Sequence, residues 1–289
     1  MNFKRLFLLC LVSCTSWAVQ AQHSAVQLCF RTEHIGCLND WTPSNVKIVS
    51  TAQGFAVKGN LGFLFRNKGQ CNIVDLKKKR LVRVFNLNGN KSHCNNVNFG
   101  IEKYNKESEL PLLYISSCLG DRVCYVTNLH TDGRNQVIQK IFFDTADSLK
   151  WQDWILDAPN KTIYAYGRPA NGPQFIKKFR LPTLNESDAK GEVHLTDNDI
   201  LESFNIPEIN IQQGSKIAGN YAYLPDGYAP YDRLLHILDL RTKKVVRTVN
   251  LNHLQYEPEG LDTKGKWLYV AFHVSKQPRM TRFYKFKIK

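Results

Sequence analysis

One hairpin is written twice in this chain of 289 residues. "IVDLKKKRLVRVFNL" runs from Ile73 to Leu87, and "ILDLRTKKVVRTVNL" runs from Ile237 to Leu251. Each is an apolar β-rich run, an aspartate, a basic turn and a second alternating run that ends in Asn-Leu. Alternation with a period of two on both sides of a polar turn is the pattern of an antiparallel strand pair. Two copies so far apart belong to two copies of a larger unit.

The unit is legible around the first copy. Ala52–Leu87 parses into strands at Gly54–Val57, Leu61–Arg66, Gln70–Asp75 and Arg80–Asn86, with "KGN", "NKG" and "LKKK" between them. Gln212–Leu251 repeats that order. A further copy starts at "HCNNVNFG" and another at "WQDWILDAPNKTIYAYGR". The last is "EPEGLDTKGKWLYVAFH" followed by "RMTRFYKFKIK". First-strand anchors fall near Gly54, Val97, Trp154, Gly214 and Gly260, spaced by roughly fifty residues, the long end of the blade range. Repeats of four strands define a β-propeller. The expected fold is therefore all-β: a five-bladed β-propeller of four-stranded antiparallel blades. The last copy is one strand short, so an N-terminal strand, "AVQLCFR" or "VKIVS", is expected to close the ring and remove its open edges. A β-sandwich would leave the repeated hairpin unexplained. The copy that starts at Trp151 carries a polar insertion, Pro182 to Asn210, expected as an excursion at the blade's end.

The first 21 residues read as a secretory leader: Lys4 and Arg5, an apolar run from Leu6, and a small-residue site ending at Ala21. "LVSC" offers an alternative, a lipid anchor at Cys14. Both readings export the protein to the periplasm, cell surface or medium, with residues 22–289 as one domain. No later run is long enough for a transmembrane helix. Six cysteines follow the leader, an even number that suggests disulfides in an exported chain. Cys29 with Cys37 and Cys118 with Cys124 are local pairings, leaving Cys71 with Cys94. The formal charge is +14. Its lysines fall in runs such as Lys77–Arg80 and Arg241–Lys244, in turns and on edges, where they keep the surface soluble and block edge pairing. Attraction to anionic polysaccharide or lipid headgroups is the alternative. No aromatic-interleaved basic stripe marks a nucleic-acid partner.

In a propeller the first strand of each blade faces the central channel, so the residues that open those strands converge on one mouth. Here they are Gln53, Asn95 and Asn96, Gln152 and Asp153, Gln213, and Glu257 and Glu259, with His93 just upstream and His273 ending the last blade's second strand. Amides, carboxyls and a histidine bind sugar hydroxyls, a peptide terminus or a hard cation such as calcium; no cofactor is implied. The bland alternative is a wet channel whose polar groups satisfy one another. Glycoside hydrolysis needs two carboxyls across a sugar, and Asp153 with Glu257 or Glu259 are the candidates. Trp151, Trp154, Tyr221, Tyr223, Tyr228, Tyr231 and Trp267 lie in or near first and second strands, where rings serve more often as inter-blade core than as a stacking surface for a sugar or an aromatic ligand. The loop Leu224–Arg233, with Tyr228 and Tyr231, is expected on the opposite or rim side.

The "AQGF", "HCNNVNFG" and "EPEGL" segments resemble the secreted five-to-seven-bladed propellers of Bacteroidetes. The "QGF…VDLKKKRLV" blade is also similar to propeller-type glutaminyl cyclotransferases, with "YEPEGL" in a comparable place to their acidic signatures. That resemblance implies cyclisation of an N-terminal glutamine by acidic channel residues, here Glu257, Glu259 and Asp153. Three readings stand: a binder of a small polar ligand, glycan or peptide terminus at the mouth; a channel-site enzyme, cyclotransferase or glycosidase; or a scaffold for an envelope protein partner.

Overall fold

The structure, a computed structural model, describes residues 31–206, 209 and 211–288. Residues 1–21, expected as a leader, and Cys14 and Cys29 lie outside the described residues. The chain opens with β1 (Thr32–Cys37) and a short helix, α1 (Leu38–Trp41). Blade one is β2 (Ala52–Lys58), β3 (Leu61–Arg66), β4 (Gln70–Asp75) and β5 (Arg80–Asn86). Blade two is β6 (Cys94–Phe99), β7 (Leu113–Ser117), β8 (Cys124–Leu129) and β9 (Asn135–Asp144). Blade three begins β10 (Leu149–Asp157), β11 (Thr162–Pro169) and β12 (Phe175–Arg180); β13 (Glu192–Thr196) and β14 (Ile200–Asn205) follow. Blade four is β15 (Lys216–Ala218), β16 (Tyr221–Asp226), β17 (Leu234–Asp239) and β18 (Lys244–Asn250). Blade five is β19 (Glu257–Lys264), β20 (Trp267–His273) and β21 (Arg282–Lys287), completed by β1. This is the five-bladed propeller expected from the repeat.

The duplicated hairpin folds the same way twice. In β4–β5 the Asp75 carboxylate accepts the N–H groups of Lys77 and Lys78; in β17–β18 Asp239 accepts those of Arg241 and Thr242. An aspartate that bonds the backbone two and three residues on sets the turn. The lysine that ends each turn, Lys79 or Lys243, takes a left-handed conformation, φ 54° and 59°.

One apolar core fills each of the five interfaces between adjacent blades. Phe63, Phe65 and Ile73 of blade one meet Val97 and Ile115 of blade two. Phe55 and Leu64 meet Phe283 and Ala271 of blade five, and α1 adds Leu38 and Trp41 to that seam. Each fully buried large side chain of this kind contributes about 2–3 kcal/mol. β2, β4 and β6 are buried nearly throughout because neighbours cover both faces, whereas the outer β18 alternates and the outer β5 has no fully buried residue.

Three expectations are corrected. The closing strand is β1, which pairs antiparallel with β21. It is not "VKIVS", which forms no strand; of "AVQLCFR" only Arg31 is described, and its carbonyl accepts Lys287 N–H just ahead of β1. A bulge between His34 and Gly36 breaks the alternation that would have announced β1. The insertion is part of the fold: β14 is the outer strand of blade three, and β13 adds a parallel fifth strand to blade two beside β9. Finally, Cys37, Cys71, Cys94, Cys118 and Cys124 are all buried free thiols. The pairings Cys71–Cys94 and Cys118–Cys124 are not formed. Cys94 Sγ instead bonds the Ser92 carbonyl, and Cys124 packs with Tyr114 and Trp154. Among the described residues no helix is long and apolar enough to cross a membrane.

Candidate functional site

The five inner strands approach one another so closely that the ring's axis is closed. A Cβ at Gly260 would lie 2.0 Å from Phe55 N, so no other residue fits between blades five and one. Hydrogen bonds even cross from blade two to blade four, past blade three: Asn96 Oδ1 accepts Ser215 N–H at 3.0 Å. The expected channel is therefore filled by a polar plug, and its mouth lies at the end where the inner strands begin.

At that mouth each blade contributes. His93, Gln212 and Glu257 are half-buried at the top. Beneath them lie Gln53, Asn95, Gln152, Asp153, Gln213, Glu259 and His273, all buried. Asn95 Nδ2 donates to Asp153 Oδ2 at 2.9 Å, and Gln212 Nε2 donates to the same oxygen. Asp153 Oδ1 accepts the Trp154 N–H at 3.1 Å. Gln213 Nε2 donates to Glu257 Oε1 at 2.9 Å, and Glu257 pairs with His273 across β19 and β20. Asn96 is spent on the frame: its amide also donates to the Trp154 carbonyl.

The electrostatics follow from burial. Desolvation lifts the Asp153 carboxyl to about 6, against its four hydrogen-bond partners. Burial, then the charge of Glu257, pushes Glu259 well above the usual carboxyl range, while Arg66 pulls it back. Glu257 is raised by burial as well. Burial and the Arg66 charge hold His273 down at about 4, so it is neutral at physiological pH. Burial also depresses His93, opposed by its hydrogen bond with Asn95. Several buried polar atoms here have no hydrogen-bond partner: both ends of the Gln152 amide, Gln53 Oε1 and His273 Nδ1.

Arg66, Gln212 and Cys118 belong to this site although the slot pattern does not include them. Arg66 ends β3, the position that His273 holds on β20, and its side chain is fully buried. Its guanidinium donates to Asn72 Oδ1, to the carbonyls of Ser50 and Pro278 at 3.0 Å, and to Thr281 Oγ1 at 3.2 Å. Burial lowers it to about 9, so it stays charged and forms the positive pole between Glu259 and His273. A basic residue closing the apolar strand "LGFLF" was the available signal. Cys118 lies near Asp153 and Glu259; burial and their negative field push its thiol up, which makes it a poor nucleophile.

The tyrosine loop is on the mouth side, contrary to expectation. Asp226, at the end of β16, bridges to Gln212, and its Oδ1 accepts the Ile211 N–H at 2.8 Å. Gly227 N–H donates to the Ile211 carbonyl at 3.0 Å. β16 runs back toward the opening of its inner strand, so the turn after it rises beside Gln212. Tyr228 and Tyr231 stand exposed on that turn, edge to face at 5.7 Å. Trp154 and Tyr223 are buried core, and Trp151 packs edge-on against Tyr166. Among the described residues no group of three or more His, Cys, Asp or Glu is placed to hold a metal ion.

No protein-family profile matches this chain, and no curated protein matches it in sequence. Among solved structures it is similar to the glutaminyl cyclase of Myxococcus xanthus, with a TM-score of 0.51 and 10% identity over 83% of this chain and 95% of that one. The Neurospora crassa Pan2 WD40 domain aligns at 0.40 with 14% identity, over 83% of this chain and 62% of that one. Apo AztD from Citrobacter koseri aligns at 0.35 with 14% identity, over 72% and 49%. At such identities the likeness to the cyclase concerns the propeller fold alone.

Proposed function

We propose that the mouth of the ring binds a small polar ligand rich in N–H or O–H donors, a peptide amino terminus or a sugar. The observation that carries this reading is the Gln152 amide, buried on the inner strand β10 with both polar atoms unpartnered. Buried polar groups are normally satisfied, and leaving one unpaired costs about 1–3 kcal/mol. Gln53 Oε1 and His273 Nδ1 repeat the pattern on two other blades, and Glu257 and Glu259 supply acceptors beside them. A donor-rich ligand would restore the missing bonds, and Tyr228 and Tyr231 offer it a flat apolar surface. Titration calorimetry with a short peptide beginning in glutamine and with a neutral disaccharide tests this. One class should bind saturably, and Glu259→Gln should weaken it about tenfold, roughly 1.4 kcal/mol, with the thermal midpoint kept. Binding of neither probe, or binding indifferent to both Glu259→Gln and Asp153→Asn, would end the reading.

One observation favours a second reading, glutaminyl cyclisation. Asp153 titrates at about 6, close to working pH, as a general acid–base group should. In that reaction the terminal amine of a peptide attacks its own side-chain carboxamide carbon. A carboxylate takes the amine proton and passes it to the departing ammonia, leaving a five-membered lactam. Ammonia release from the glutamine peptide, abolished in Asp153→Asn, is the expected result. Binding without ammonia release would leave only the first reading standing.

A further inference from the structure

A cavity lies on the seam where the last blade meets the first, at the end of the inner strands opposite the mouth. It has a volume of about 320 Å³ and is lined by Lys77, Lys79, Lys264, Lys285, His34 and Tyr269, with Ile35 and Leu76 as apolar wall. Four lysines converge there from three separate stretches of chain: the β4–β5 turn, the end of β19 and β21. The sole acid in the lining, Glu33, is already paired, with Lys285 at 2.8 Å and Arg31 at 3.3 Å.

The lysines divide into two kinds. Lys264 is anchored, its ammonium donating to the Gly59 carbonyl and to Asn60 Oδ1 on the neighbouring blade. Lys285 is anchored between Glu33 and the Trp267 ring, 4.2 Å from its centroid. Lys77 and Lys79 have no ion-pair partner among the described residues, and the turn that carries them is held by Asp75. Two ammonium groups therefore face a concave, partly apolar space without counter-charge. His34, exposed at the cavity's edge, is depressed by partial desolvation, then by the charge of Arg282 and more weakly by Lys79, against a backbone hydrogen bond at Gly36 and the charge of Asp40.

We infer that this seam cavity is a binding site for a small phosphate- or sulfate-bearing molecule. Lys77 and Lys79 supply the charge, Lys264 and Lys285 the fixed rim, and Tyr269 with Ile35 and Leu76 a surface for the carbon skeleton. Compact ammonium groups suit such point-charge recognition of an oxyanion. The occupant would touch the closing strand β1, blade five and blade one together. It would therefore clip the ring shut and stabilise the folded state by mass action. This assignment is independent of what the mouth binds.

The probes are inorganic sulfate, inorganic phosphate, a sulfated disaccharide and a long sulfated polysaccharide, each at ionic strength matched with chloride. Tryptophan fluorescence reads the site through Trp267 under Lys285, and the thermal midpoint reads ring closure. Saturable binding of a free anion or of the sulfated disaccharide, with a raised midpoint, is expected, and a response to the polymer alone would overturn the assignment. Lys77→Gln with Lys79→Gln should weaken it about tenfold. The exposed pair Lys103→Gln with Lys106→Gln should leave it unchanged. The relative affinities of the small and polymeric probes then identify the source of the anion. A response that does not saturate, or that falls equally in both double variants, would reduce the cavity to general surface charge and overturn the assignment.

Discussion

Arg66 is the residue on which the mouth depends most. It is the largest fully buried side chain, and its four hydrogen bonds tie β3 to β4, to the Ser50 segment and to the Pro278–Thr281 turn of blade five. Arg66→Met should destabilise the fold by about 3 kcal/mol in urea titrations, since several buried acceptors lose their donor together. Arg66→Lys should recover little, because an ammonium cannot reproduce the planar fork. A loss below about 1 kcal/mol in both would show that water replaces the guanidinium. Two neighbours give the site opposing pH responses. His273 titrates at about 4 when folded against 6.5 ordinarily, so its contribution is whole above about 6.5 and is lost as pH falls toward 4. Asp153 titrates at about 6 against 3.8, so its contribution is present below about 3.8 and is lost as pH rises through 6, about 3 kcal/mol in all. Stability measured from pH 4 to 8 should fall less on the acid side in His273→Gln and less on the neutral side in Asp153→Asn, with His93 and with Glu257 and Glu259 carrying the remainder. Profiles parallel to the wild type in both variants would contradict these assignments.

Among the elements, the insertion most changes how the blades are understood. β13 and β14 come from one polar stretch yet serve two blades, β13 lying parallel on β9 of blade two and β14 completing blade three. Leu195 on β13 is buried in the core between those blades, with Val193 packed beside it. Leu195→Ala should therefore cost about 2–3 kcal/mol by chemical denaturation, the price of a cavity in a true core. A change within about 0.5 kcal/mol, as at an ordinary surface position, would return β13 to the status of a loose excursion. The alternating pattern marked most of the strands but missed β14, whose faces alternate within the polar insertion. It passed over β13, a short strand without a hairpin partner, and β1, broken by its bulge.

At the scale of the whole molecule, closure is the decisive feature. β1 covers the outer edge of β21, and α1 seats Leu38 and Trp41 in the seam between the first and last blades, where Trp41 stacks on Phe283 at 5.2 Å. Removing residues up to Trp41 uncovers a strand edge and part of one core at once. Size-exclusion chromatography of that truncated protein should show aggregation or edge-to-edge dimers. A monodisperse monomer of unchanged thermal midpoint would mean the ring closes without its strap.

What the sequence determined by itself is the repeat: five copies of a β-meander, with a polar slot at the start of each unit. These are local properties. Turn chemistry at Asp75 and Asp239 and a two-residue apolar period need only near neighbours in the chain. Only the tertiary structure decided which slot residues remain free. Asn95 finds Asp153 across 58 positions, Asn98 reaches Ser215 across 117, and Asp262 holds Val57 across 205. Such partners leave no trace in local pattern, because a buried polar group takes whatever donor the closed ring brings within reach. For the same reason Gln152 is left unpartnered while Asn96 is consumed, and Arg66 sits in the site though it lies outside every slot.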